Sequence, residues 1–319
     1  MRIRAPHTSM AFVGVVVVLA TTEVGLRVLG SALPDPVLWP SIEADIKVDQ
    51  MSQPAYRPTR VVFMGDSTME SGVDPSRLHE FGVEDSSYNA ALPWSTPLSM
   101  EVWFGEVVRP LLDPEIIYVG LAPPSGLNTR EGDILYQGLL TAIRSQEESW
   151  VGAVAGWSEL YKKRTLVRDL PVIFRRERVV ELGLISTLGF QTGYLWGAIA
   201  AAEGGVPAIE NTNRQMSEAD KAALERLIRS AAQAHVQLVL VVEPFPCPAD
   251  AGECVERFLS STFYRGVEAL ANAQEVPLLN VMQEPWPEGL FVDDRHLNAA
   301  GVDRFQRLVA NSMADLGSK

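Results

Sequence analysis

Histidine and cysteine are scarce in this chain, at four and two of 319 residues. Nowhere do they gather at spacings that hold a metal, and no strand–Gly-x-Gly-x-x-Gly–helix context occurs. The paired glycines of "AAEGGVPAIE" read as a loop. Basic charge is also short: 27 Lys and Arg stand against 40 Asp and Glu, a net charge of −13. Nucleic-acid binding relies on basic patches that neutralise phosphates, so that class of partner fits poorly. Internal repeats and low-complexity tracts are absent. What is left is an ordinary globular composition, 47% hydrophobic and 21% charged, long enough for one large domain or two small ones.

Long apolar runs are few, and the first lies at the start. Arg2 and Arg4 precede a stretch without charge from Ala5 to Thr22, whose strongly apolar part is Met10–Ala20. That part is short for a spanning helix, which needs about 20 residues, and it fits the h-region of an export signal. A helix continued past Glu23 towards Leu29 could still span, with Glu23 and Arg27 near the outer interface. Residues 1–33 are therefore expected to be a signal anchor, with a cleaved signal as the alternative. Arg2 and Arg4 keep the first end cytoplasmic, and both alternatives send the rest of the chain outward. Cys247 and Cys254, with six residues between them in "EPFPCPADAGECVERF", suit a small disulfide-closed loop in an oxidising compartment. Two unpaired thiols or a metal site are the alternatives.

Residues 34–59 hold five prolines and little periodicity and read as a linker or a loose lead-in. Ordered alternation starts at Arg60. Strands are expected in "RVVFM", "PEIIYVGLAPP", "VQLVLVVEPFP" and "VPLLNV". Helices are expected in "SMEVWFGEVVRPLL", "SEADKAALERLIRSAAQAH", "FLSSTFYRGVEALANAQ" and "NAAGVDRFQRLVANSMADL". Strands alternating with helices argue an α/β domain over 60–319 with a mostly parallel sheet covered on both faces.

Residues 130–212 fit that rhythm least and read as an insertion. They carry a basic cluster, Lys162, Lys163, Arg164, Arg168, Arg175, Arg176 and Arg178. A solvated helical face explains such a cluster; contact with anionic lipid or polymer is the other reading. The uncharged run at 182–202 is long enough to suggest a second span. It holds four glycines, and a second crossing would part the two ends of the domain, so core packing or a cover over the site fits better.

The chemistry starts from "VVFMGDSTMESG". Gly65-Asp66-Ser67 halts an apolar strand abruptly. Turn residues explain that blandly; a nucleophilic serine explains it functionally, provided a base and an orienting carboxylate lie elsewhere. Elimination among the histidines is feasible. His7 precedes the apolar segment, His79 lies beside Glu80 on a surface helix, and His235 caps or packs before a strand. His296 remains, in "FVDDRHLNAAG", three residues after Asp293. A loop that short can bring the carboxylate to one ring nitrogen and leave the other free. In doubly wound sheets the strand-end loops converge on one rim, where both segments would arrive.

These residues resemble the SGNH/GDSL hydrolase superfamily, in particular its bacterial membrane-anchored branch. The likeness rests on Gly65-Asp66-Ser67, Asn89 in "SYNAALPWST", Gly120 in "IIYVGLAPP", and Asp293-x-x-His296 with "HLNAAG". It implies a three-layer α/β/α flavodoxin-like fold and acyl-ester chemistry without a cofactor. It further implies Ser67 as nucleophile, His296 as general base and Asp293 as its partner. Ser67, Trp94, Asn128, Asn89 and Asp66 make up the implied oxyanion and substrate-binding set. Trp94 stands where the family has glycine, and its ring is expected to crowd the site in favour of small acyl groups such as acetyl. Gly120-Leu121-Ala122 lacks the family's third-block asparagine, for which Asn128 is a substitute. Three functions follow: an extracytoplasmic esterase or deacylase, an O-acyltransferase acting on cell-envelope carbohydrate, or a non-catalytic binding protein of the same fold.

Overall fold

The computed structural model describes residues 7–29, 32–33, 39–83, 85–123, 128–146, 157–163, 166–192, 215–247 and 251–317. The chain opens with helix α1 (His7–Leu29), exposed along its apolar length. It is the one helix among the described residues long and apolar enough to cross a membrane.

Helix α2 (Ile42–Met51) follows, inside the stretch read as a linker. Ser41 caps it by accepting from the Ala44 N–H, and Ala44, Ile46, Lys47 and Met51 are buried. The lead-in is therefore anchored to the domain at this helix.

The sheet has five strands, all parallel: β1 (Val61–Met64), β2 (Ser87–Asn89), β3 (Ile116–Leu121), β4 (Gln237–Val242) and β5 (Leu278–Asn280). Their spatial order is β2-β1-β3-β4-β5, the doubly wound, flavodoxin-like order. Register pairs Phe63 with Asn89 and Tyr118, and Tyr118 with Val239. Continuous burial along β1 and β3 reflects helices on both faces.

Helix α3 (Ser67–Gly72) follows β1, and α4 (Pro97–Trp103) runs through a wide turn at Phe104–Val108 into α5 (Arg109–Leu112). The turn widens just before Pro110, which has no N–H to give to the preceding turn. Next come α6 (Asn128–Gln146), the short α7 (Glu159–Lys162), α8 (Leu166–Glu181) and α9 (Glu218–Gln233). The expected single helix over 258–274 is two, α10 (Ala251–Leu259) and α11 (Thr262–Ala273). Ser261 accepts from the Tyr264 N–H and so starts a new helix there. The closing helix is α12 (Ala299–Gly317).

Residues 182–192, the described part of the uncharged run, fold as a tight turn against the domain. The Leu188 carbonyl accepts from the Asn89 N–H, and Ile185 and Phe190 are buried. Gly189 has φ +80°, and a Cβ there would lie 2.1 Å from the Asn89 carbonyl oxygen. Cys247 and Cys254 form a disulfide, with Cα atoms 5.9 Å apart.

Candidate active site

Strand β1 delivers Gly65-Asp66-Ser67 to the carboxyl rim of the sheet. The Asp66 carboxylate accepts from the Thr68 N–H at 2.7 Å, which caps α3 and makes Ser67 its first residue. Asn89, at the end of β2, clamps this helix. Its amide nitrogen donates to the carbonyls of Met69, Glu70 and Val73, and its Oδ1 accepts from the Ala91 N–H. Every polar atom of the Asn89 side chain is thus spent on holding α3 and the chain that follows β2.

His296 arrives from the other end of the chain. Phe291 and Leu297 bridge across the loop, and the Val292 N–H donates to the His296 carbonyl. The "HLNAAG" motif now has a local explanation. Asn298 accepts from the Gly301 N–H to start α12, and a Cβ on Gly301 would lie 2.2 Å from the Leu290 carbonyl oxygen. Helix α12 presses against α3 where a Cβ on Gly72 would meet the Phe305 ring at 2.9 Å. Gln306 donates to the Asp74 carbonyl across the same seam.

These supports bring three side chains into line. His296 Nε2 lies 2.8 Å from Ser67 Oγ, and His296 Nδ1 lies 2.6 Å from Asp293 Oδ2. The other Asp293 oxygen accepts from the backbone N–H groups of Arg295 and His296. Burial opposes ionisation of Asp293 most strongly, but the bonds from His296 and Arg295 outweigh it and hold the carboxyl below its usual value. Ser67 and His296 are both buried.

Trp94 sits in a turn closed by the Ser95 N–H donating to the Leu92 carbonyl, with Pro93 before it. Its φ is +58°, the left-handed region that the third residue of a type II turn requires and glycine fills most readily. The backbone conformation suited to glycine is therefore retained with a tryptophan in place. Trp94 is 50% exposed and does not line the neighbouring cleft. The N–H groups of Ser67 and Trp94 have no acceptor among the described residues.

That cleft, of about 310 Å³, opens beside Asp66 rather than at Ser67 Oγ. It runs between Ser95–Leu98, Gly120–Pro123 and Met216–Asp220, with Phe263 and Asp133 in its walls. Ala122 occupies the place of the missing asparagine. The side chain of Asn128 lies outside the described residues.

Two buried groups escape the sequence reading. Glu243, directly after β4, is fully buried and reaches under β3 towards β1. A Cβ on Gly120 would lie 2.1 Å from its Oε1, and one on Gly65 2.8 Å, so these glycines make room for a carboxyl group. Burial, and then the charge of Asp66, push it well above the usual carboxylate range. Its only sequence signal is a glutamate closing an otherwise apolar strand. The second group is Lys47 on α2, whose Nζ lies 2.8 Å from Glu70 Oε1 on α3 and also donates to the Ala91 carbonyl. Burial pushes the Glu70 carboxyl up to about 7 against the opposing pull of Lys47, and it lowers the Lys47 ammonium.

A doubly wound parallel sheet thus carries a linked serine, histidine and aspartate at its carboxyl rim, an arrangement in which the imidazole can take the serine proton. No protein-family model and no curated protein matches the sequence. Among solved structures, a GDSL-like lipase from Bacteroides thetaiotaomicron is 13% identical, with a TM-score of 0.40. The match covers 92% of this chain and 98% of that one. An acetyl-xylooligosaccharide esterase from Geobacillus is 12% identical with a TM-score of 0.42, over 81% of this chain and 94% of that one. At that level of similarity neither carries an argument about this chain.

Proposed function

We propose that this protein is a serine esterase or deacylase of the SGNH/GDSL type, held on the outer side of a membrane by α1. The observation that carries this reading is the unbroken array Asp293–His296–Ser67, formed by residues 229 positions apart and linked at 2.6 and 2.8 Å. His296 Nδ1–H donates to Asp293, which leaves Nε2 to take the proton of Ser67 Oγ as that oxygen attacks an acyl carbonyl. The proton then passes from Nε2 to the departing alcohol. Water, deprotonated by the same ring, releases the acid and restores Ser67. The N–H groups of Ser67 and Trp94 meet the negative oxygen of the tetrahedral intermediate.

The cleft beside Asp66, about 310 Å³, is the space open to the group next to the reacting carbonyl. Its rim is acidic at Asp133 and Asp220, which disfavours anionic substrates. The apolar α1 and the Cys247–Cys254 disulfide both support placement in an oxidising, extracytoplasmic compartment.

A fluorophosphonate probe is expected to label the wild-type chain and spare Ser67→Ala, with hydrolysis of a short-chain nitrophenyl ester lost in parallel. Failure to label the folded wild type, with no ester turnover, would overturn the proposal. Turnover appearing only after a glycan acceptor is added would replace hydrolysis by acyl transfer on the same serine.

A further inference from the structure

The stretch without charge at the start of the chain, Ala5–Thr22, is 18 residues long. Its part within α1, His7–Thr22, covers roughly 24 Å, most of the hydrocarbon thickness of a bilayer. Glu23 therefore stands at the far boundary. It is not idle there: its carboxylate accepts from Ser158 Oγ at 2.8 Å, from the Glu159 N–H at 3.0 Å and from the Leu160 N–H at 2.9 Å, capping α7. One turn on, Arg27 pairs with Glu23 and donates to the Trp157 carbonyl at 2.7 Å, its guanidinium 5.4 Å from the centre of the Trp157 ring. A segment bonded to Glu23 shares its depth. Trp157, 74% exposed, therefore lies at headgroup level, where tryptophan is favoured.

Three residues separate α7 from helix α8. One side of it, Asp169, Ile173 and Arg176, turns inward, with Arg176 paired to Asp45 and Asp49 of α2. The opposite side, at helical spacing, is Pro171, Phe174, Arg175, Arg178 and then Leu182 just past the end, all exposed. Phe174 is 64% exposed and Leu182 59%. Residues 162–178 carry seven basic and two acidic side chains in a chain whose net charge is −13. A solvated face accounts for the arginines but not for the bare apolar side chains set among them.

We infer that the outer face of α8, together with Trp157, rests on the anionic phospholipid surface of the membrane that α1 crosses. The inference depends on the anchored placement proposed above. Phe174 and Leu182 enter the boundary between headgroups and acyl chains, while Arg175 and Arg178 pair with phosphates. The contact orients the site as well as tethering it. Arg176 ties α8 to α2, and Lys47 of α2 reaches Glu70 on α3, the helix that begins with Ser67.

The test uses the full chain in lipid nanodiscs, with and without phosphatidylglycerol, and one spin label at a time on Phe174→Cys, Leu182→Cys or Val17→Cys. In discs with the anionic lipid, labels at 174 and 182 are expected to lose access to a water-soluble nickel chelate and gain access to oxygen. Both effects are expected to fall away in discs without it, or when Arg175 and Arg178 are changed to glutamate. Water-like labels at 174 and 182 beside a lipid-embedded label at 17 would overturn the surface contact and leave the anchor standing. A water-like label at 17 would overturn the anchor and the contact with it. Equal embedding in both kinds of disc would overturn the role of anionic lipid.

Discussion

Lys47 and Glu70 form an ion pair at 2.8 Å with both side chains fully buried, one on the first helix packed against the domain and the other one turn beyond Ser67. Such a pair contributes little net stability while intact but is costly to break, because the survivor is left buried without its partner. Lys47→Met is therefore expected to destabilise the fold by about 3–5 kcal/mol. Lys47→Met/Glu70→Gln should recover much of that loss. Denaturant midpoints of the wild type and the two variants decide the matter; equal losses for the single and double changes would contradict it.

Asp293 gives a prediction with two readouts. Asp293→Asn keeps the shape but withdraws the charge that fixes and stabilises the imidazole, and ester turnover should fall by about 10⁴. The native carboxyl titrates below its reference value of 3.8. It therefore contributes stability that is present above that value and lost as pH falls through the lowered one. Unfolding followed from pH 6 down to 3 should fall more steeply for the wild type than for Asp293→Asn. Parallel curves would deny the carboxylate its ionised role.

Glu243 has the opposite sign. Its folded value lies well above the reference of 4.5, so its contribution is full below that pH and declines as pH rises towards the folded value. Glu243→Gln preserves the volume under Gly65 and Gly120 and cannot ionise. Between pH 5 and 8 the variant should lose less stability than the wild type. An identical slope in both would show that the folded carboxyl is not held above its ordinary value.

Trp94 carries its left-handed backbone against the preference of any residue with a Cβ, a cost of about 1–2 kcal/mol. Trp94→Gly removes that strain, and the unfolded glycine's extra freedom offsets about half of it. A net gain of up to about 1 kcal/mol is expected, with little change in acyl-chain preference because the ring does not line the cleft. A marked shift towards longer acyl chains would place the ring at the reacting group after all.

The parts of this molecule legible in its sequence are those governed by local pattern. Apolar strands closed by turn residues and helices with caps gave the parallel alternation. The small number of histidines singled out His296, and the structure does bring it to Ser67. What stayed hidden depends on distant neighbours. The ten-residue α2 shows no strong periodicity among its flanking prolines, so the burial of Lys47 could not be read before Glu70 was placed beneath it. Glu243 resembles any polar residue that ends a strand until Gly65 and Gly120 are seen to vacate the space it fills. Trp94 showed a departure from glycine, but not that the glycine-like backbone persists.

The hold of Glu23 on Ser158, Glu159 and Leu160 has a practical consequence. A truncation starting after residue 30 would leave α7 with its Ser158 cap but without the carboxylate that receives the Glu159 and Leu160 N–H groups, and Trp157 without its arginine. Helix α1 thus serves the folded protein as a component of its architecture, and preparations lacking it should show faster amide exchange at 157–163.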